Sequence, residues 1–410
     1  MDSEFSTQNP HIKTPRLSAG LLKKIFVAAS IRRWNDHATP VEFVEIDKQA
    51  HKIVIAYILA KYEENSGKSI DWERLILQFC FEFFERIVLT DIKPPVFHKL
   101  QETHNKELVE FVCEQLESDL GIYEFFPKMK EYLLSTKNNL ERQILKASHY
   151  YASKWEFDII YHFNPYMYDV QNIRNIINKQ VEEHYHLVGM REIMLYENVR
   201  ELITMFGQLR FQKRWSQTPR VPATSVLGHT LIVALSAYLI SFDIGCCEKM
   251  RLNHFLCGLF HDLPEILTRD IISPIKRSVK GLDRLIKEIE EEAVEKKILS
   301  IVPPNMREDI IYFTQNEFAN RYKIESFIHI AKSGEELMEC FNRNENNPIY
   351  GEFLKIFDNL SAYLEAKISI SHGISSDDLI SGANEIYKKC ADKVICNVDI
   401  GKLFRDFALN

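Results

Sequence analysis

Residues 225–242 read SVLGHTLIVALSAYLISF. Laid on a helix, this stretch is apolar all round, and such a helix has to be buried by other elements on every side. The rest of the chain supplies the neighbours. Most segments place apolar residues at i, i+3, i+4 and i+7, and few alternate as strands do, so the spacing predicts an all-α fold. The 410 residues are enough for two or three domains and a large core.

Composition narrows the class. A hydrophobic fraction of 46% and a charged fraction of 27% are ordinary for a soluble globular protein. The net charge of -7 disfavours nucleic acid and anionic membranes as partners, so an anionic substrate has to be held locally. No unbroken run of about eighteen apolar residues predicts a membrane span. The first twenty residues are polar, with Pro10 and Pro15, and do not read as a signal peptide. The eight cysteines are scattered without a C-x-x-C pair, which suits reduced thiols in a cytoplasmic protein.

Helices are expected at about 21–34, 46–64, 72–90, 98–118 and 127–159 in the first half. From Tyr168 to Gln217 no proline occurs, and the amphipathic pattern there predicts one long helix, or two collinear ones, joining the halves. Further helices are expected at 225–242, 252–262, 282–301 and 353–366. Glu290, Glu291 and Glu292 are expected on a solvated face, because consecutive helical residues splay apart.

The chemistry concentrates in Phe260 to Lys276, FHDLPEILTRDIISPIK. His261 and Asp262 are adjacent residues of metal-ligand type, and Glu265 follows on the same helical face. Pro264 lacks an N–H and crowds the preceding turn, so a kink or a fresh helical turn is expected there. Such a pair with a spare carboxylate suits metal-assisted hydrolysis. Elsewhere, His229 sits near the start of the apolar helix. Asp358 lies among Phe357, Leu360, Tyr363 and Leu364, where a carboxylate is costly unless paired or metal-bound.

The order His229, His261-Asp262, Asp358 resembles the HD-domain metal-dependent phosphohydrolases, and more closely their bacterial 5'-deoxynucleotidase branch. The resemblance covers about residues 205–370. It rests on Arg214-Trp215, on Val226 to His229, on His261 through Lys276, and on the run Asp358 to Leu364. It implies a helical bundle holding one divalent ion through His229, His261, Asp262 and Asp358. These nitrogen and oxygen ligands leave Co, Mn, Fe, Ni and Zn open, with Mg a further candidate. It also implies that Glu265 activates water, with Asp262 beside it in the catalytic group. Arg214 and Lys276 hold the phosphate, Trp215 packs on the sugar or base, and Asp270 binds a sugar hydroxyl or the water. The chain departs from the family at Gly228 (usually Glu), Arg269 (usually Gly) and Thr224-Ser225 (usually Glu-Asn).

The first half looks like a degraded copy of the second. Arg33-Trp34 resembles Arg214-Trp215, and Ala50-His51-Lys52 resembles Gly228-His229-Thr230. Residues 81–96 align without gaps on 260–275, putting Glu82 and Phe83 in place of His261 and Asp262, while His149 falls on Asp358. The expected organisation is therefore two HD-like bundles in tandem: 1–165 degenerate and without a metal site, 166–204 a linking helix, and 205–410 the phosphohydrolase domain. The expected substrate is a phosphate monoester, a (deoxy)nucleoside 5'-monophosphate, and a homodimer is left open. A nucleoside triphosphate or another phosphoester is the alternative substrate, favoured by a basic wall beyond Lys276 and Lys280. A non-catalytic nucleotide-binding regulator or scaffold is the alternative class.

Overall fold

The structure is a computed structural model that describes residues 12–90, 92–268 and 279–408. Helices dominate, as the spacing predicts. The first half contains α1 (Ala19–Val27), α2 (Glu45–Asn65), α3 (Trp72–Leu89), α4 (Pro94–Leu120), α5 (Phe126–Leu134) and α6 (Leu140–Phe163). The single helix expected at 127–159 is split between α5 and α6. Asn139 caps the second piece, its side chain accepting a hydrogen bond from Arg142 N at 2.8 Å.

The expected long linking helix is also broken. Three helices stand there instead, α7 (Val170–Glu182), α8 (Val188–Leu195) and α9 (Glu197–Gln208). The break after α7 turns His184 inward, where the ring is buried. No proline marks these joints: backbone turns at 183–187 and at Tyr196 re-aim successive apolar stripes onto the core.

The second half begins with α10 (Val226–Ser241), of which every residue is buried, and α11 (Glu248–Phe260). Ser225 caps α10, its hydroxyl accepting from Gly228 N at 2.9 Å. Gly258 lets α11 approach closely: a Cβ there would lie 2.8 Å from Ala234 Cα of α10. Three residues later the chain reaches His261, and the two imidazole rings stand with centroids 5.6 Å apart. α12 (Glu265–Thr268) is the fresh turn expected after Pro264. The later helices Gly351–Ser371, Asp377–Cys390 and Gly401–Ala408 complete the half, and the strands are short two-stranded ribbons.

Most buried apolar side chains form one continuous core from Leu17 to Phe407, in which α2 and α10 pack on each other, and Phe157, Val170 and Ile177 form a smaller separate cluster. Among the described residues, no helix is long and apolar enough to cross a membrane.

The two halves share a local pattern. The bridge between Lys213 and Ser225 corresponds to the pairing of Arg32 with Val44, and each precedes a buried helix by the same interval. Trp34 and Trp215 both have left-handed backbones, φ 57 and 54. Their indole N–H groups donate to Glu156 at 2.9 Å and Glu365 at 3.0 Å. That register sets Lys48, not His51, at the position of His229. His51 instead lies deeper, with Nε2 against Ile203 O at 2.9 Å and Nδ1 taking a hydrogen bond from Arg210 at 3.2 Å.

Candidate metal centre

Four side chains converge where α10, the end of α11 and the Gly351–Ser371 helix meet. Ligand atoms of His229, His261 and Asp358 all lie within 4.8 Å of one another. His229 Nε2 is 3.1 Å from Asp358 Oδ1 and 3.6 Å from Asp262 Oδ2. His261 Nε2 is 3.3 Å from Asp262 Oδ1. Donors at about 2.1 Å from one ion stand about 3 Å apart when adjacent and about 4.2 Å apart when opposite, so these separations suit a shared cation.

The hydrogen bonds suit it too. His261 Nδ1 donates to Gly258 O at 2.8 Å, which leaves the Nε2 lone pair facing the centre. That buried Nε2 makes no hydrogen bond among the described residues, and neither does Asp262 Oδ2. His229 Nδ1 bonds Ser361 Oγ at 2.8 Å, fixing the ring so that Nε2 points at the carboxylates. Buried polar atoms without partners are costly, and a divalent ion satisfies them together. Two imidazoles and two carboxylates, without a thiolate, are the groups that could hold it here.

Charge is arranged around this floor. Burial pushes the Asp262 carboxyl up, but His261, His229 and Arg214 outweigh it and hold it below the usual range. Burial works the same way on Asp358, and Lys355 and His229 together hold it well below that range. Lys355 Nζ is 2.7 Å from Asp358 Oδ2, with its side chain half exposed. Arg214 lies 3.8 Å from Asp262 and 3.7 Å from Glu365.

A cavity of ≈ 550 Å³ opens over the floor, within the range of small-molecule sites. Arg214, His261, Asp262, Glu265, Lys355 and Asp358 line it. Glu290 and Glu291 line it as well, so the expected solvated face belongs in part to the cavity wall. The helix Leu282–Ala293 leans over the site, and Glu290 accepts from Thr268 at 3.1 Å. Trp215 is not among the lining residues. Its ring packs against Gly382 and its N–H is donated to Glu365, so it braces the site. Asp270 and Lys276 lie outside the described residues.

Sequence reasoning missed Lys355, Ser361 and Glu365. The signal was present: all three share one helix with Asp358, offset by −3, +3 and +7, the spacing of one helical face. Glu365 is buried and accepts from Thr224 Oγ1 at 2.8 Å, besides Trp215.

Two departures from the family pattern face the first half of the chain. A Cβ on Gly228 would meet Asp47 Oδ1 and Ile46 Cγ2, each at 2.9 Å. Ser225 Oγ donates to Asp47 Oδ1 at 2.5 Å. Glycine and serine at these positions let α2 seat against the start of α10.

Residues 206–387 match the HD domain family. This part of the chain is an HD domain, and HD domains bind divalent metal ions. Within that superfamily it stands close to the 5'-deoxynucleotidase branch. The 5'-deoxynucleotidase of Vibrio atlanticus is 29% identical over 122 residues, 28% of this chain and 60% of that protein. That of Shewanella oneidensis is 28% identical over 171 residues, 40% of this chain and 84% of that protein. That of Photobacterium profundum is 34% identical over 109 residues, 25% of this chain and 54% of that protein.

Proposed function

We propose that the second half is a metal-dependent phosphohydrolase acting on a phosphate monoester, with a (deoxy)nucleoside 5'-monophosphate as substrate class. The observation that carries this is the meeting of His229, His261, Asp262 and Asp358 on the floor of a nucleotide-sized cavity. When bound, a divalent ion supplies Lewis-acid polarisation of a phosphoryl oxygen and acidifies a water. The protein's own groups do the rest. Arg214 and Lys355 hold the phosphate, Arg214 through its planar fork. Glu265 takes the proton of the attacking water. Ser361 and Glu365 keep His229 and Arg214 aimed at the floor. The relatives, 5'-deoxynucleotidases, support the nucleotide assignment.

The outer wall supports a monophosphate over a triphosphate. Glu290, Glu291 and Glu317 line the cavity beyond the floor, with Lys287 the described cation among them. Two extra phosphate groups pointing that way meet like charge. We also read residues 1–165 as a copy of the domain whose ion site is lost, with 166–204 as the connection. Chelator-treated protein reloaded with single divalent ions and offered nucleoside mono- and triphosphates tests the reading. Phosphate release from monophosphates upholds it. Metal binding without release from any nucleotide moves the protein to the regulatory class.

A further inference from the structure

The counterpart of the metal site in the first half has not merely lost its ligands; basic side chains stand in their place. In the register set by the tryptophans, Lys48 on α2 takes the place of His229, and His149 on α6 takes that of Asp358. The two touch, as their counterparts do, with Lys48 Nζ 2.5 Å from His149 Nδ1. Glu82, at the place of His261, is bound by Lys52. Where the second half sets carboxylates and imidazoles around a cation, the first half sets two basic groups against each other.

The neighbouring charges leave this pair uncompensated. Glu45 is matched by Arg33 at 2.8 Å and by Arg86 at 3.5 Å. Glu156 is matched by Arg33 and Arg210 at 2.9 and 2.8 Å. Burial, with Glu82 second, pushes Glu85 up to about 7, so its negative charge near neutrality is only partial. Among the described residues no carboxylate lies within 4.0 Å of Lys48 Nζ, although Lys48 is wholly buried. An ammonium in that position without a counter-charge is costly. Burial, aided by the positive charges of Arg33, Lys52 and Arg86 against the pull of Glu45, holds Lys48 well below the usual lysine range.

The pair also has a free hand. Lys48 donating to Nδ1 leaves the ring proton of His149 on Nε2. That nitrogen makes no hydrogen bond among the described residues, yet it is not sealed from solvent, and His149 is only half-buried. A solvent-reachable N–H with a buried lysine amine behind it can donate to an anion.

We propose that the first half carries an oxyanion site at His149 and Lys48, taking a phosphate group either as free phosphate or as part of a nucleotide. The anion accepts from His149 Nε2–H and supplies the charge that Lys48 lacks. The site is not expected to do chemistry, since Phe83 stands where Asp262 would provide a ligand and Arg86 stands where Glu265 would activate water. This inference rests on the contacts around Lys48 and not on hydrolysis by the second half.

The test is equilibrium dialysis of the full chain carrying Asp262→Ala, which disarms the metal centre, against labelled inorganic phosphate. Binding of about one phosphate per chain is expected, weakened at least tenfold by His149→Asn and abolished by Lys48→Met. Should Lys48→Met fail to fold, His149→Asn at the partly buried ring carries the result alone. Competition with thymidine 5'-monophosphate separates the sources: displacement at lower concentration than phosphate assigns a nucleotide, and otherwise free phosphate is the ligand. Absence of phosphate binding, or binding unchanged by both substitutions, overturns the proposal.

Discussion

Nε2 of His229 lies 3.1 Å from Oδ1 of Asp358, although 129 residues separate them in the chain. Two helices have to cross for that contact to exist, and the candidate metal centre depends on that crossing. Replacing Asp358 by Ala removes a ligand and leaves the site open on one side. Metal affinity is expected to fall by more than the 10- to 100-fold typical of a supporting residue, with activity lost alongside. Asp262→Ala is expected to behave the same way. Metal content after gel filtration, read by mass spectrometry, checks both.

Glu265 lines the cavity beside the ligands and is not one of them in the proposed arrangement. Glu265→Ala is expected to retain the ion while kcat drops by about 10²–10⁴, the usual contribution of a positioned proton acceptor. Full activity in that variant removes Glu265 from the mechanism.

Glu365 is not among the residues lining the cavity, yet it joins Trp215 and Thr224 and stands 3.7 Å from Arg214 and 3.9 Å from His229. Glu365→Gln keeps the shape and removes the charge. The expected result is metal affinity about 10-fold weaker together with a raised KM, since both a ligand and the phosphate-holding arginine lose their brace. A purely structural role would lower the melting temperature and leave both constants alone.

The seat between the halves is tight. Gly228→Glu restores the residue usual in the family, but its first carbon already meets Ile46 and Asp47. Overpacking of this kind costs about 1–3 kcal/mol, readable as a lower urea midpoint. No loss of stability would show that α2 does not press on α10 there.

His254 gives the stability a pH dependence. It is fully buried, and its Nε2 accepts from Tyr350 N at 3.1 Å, so the ring is neutral. Burial, then Arg321, pushes its pKa down to about 3. The unfolded chain therefore binds a proton there that the folded chain refuses. Stability from this group is complete above about pH 6.5 and falls as pH drops from there toward 3, by up to about 1.4 kcal/mol per unit. His51, pushed down to about 3 first by burial and then by Arg210, acts in the same direction. Urea unfolding between pH 5 and 8 checks this, and His254→Gln should flatten the slope.

The all-α class, the buried helix at 225–242 and the turn after Pro264 were legible in the residues, because helical periodicity is a local property, whereas the set His229, His261, Asp262, Asp358 came from the resemblance to the HD-domain family. The same periodicity ran through Tyr196 and the 183–187 turns without marking them, since an amphipathic stripe looks alike whether its helix is continuous or broken. Trp215 and Glu290 were misplaced for a related reason: which way a side chain on a known helix faces depends on what packs against it. His51 was mistaken for the counterpart of His229, where the strand pairing and the two left-handed tryptophans select Lys48. The chain by itself determined which groups could bind a cation and which helices had to be buried. Only the tertiary structure decided that four of them meet, that α2 presses on the start of α10, and that the first half sets a lysine against a histidine, because those contacts join residues more than a hundred positions apart and no local pattern encodes the crossing of two helices.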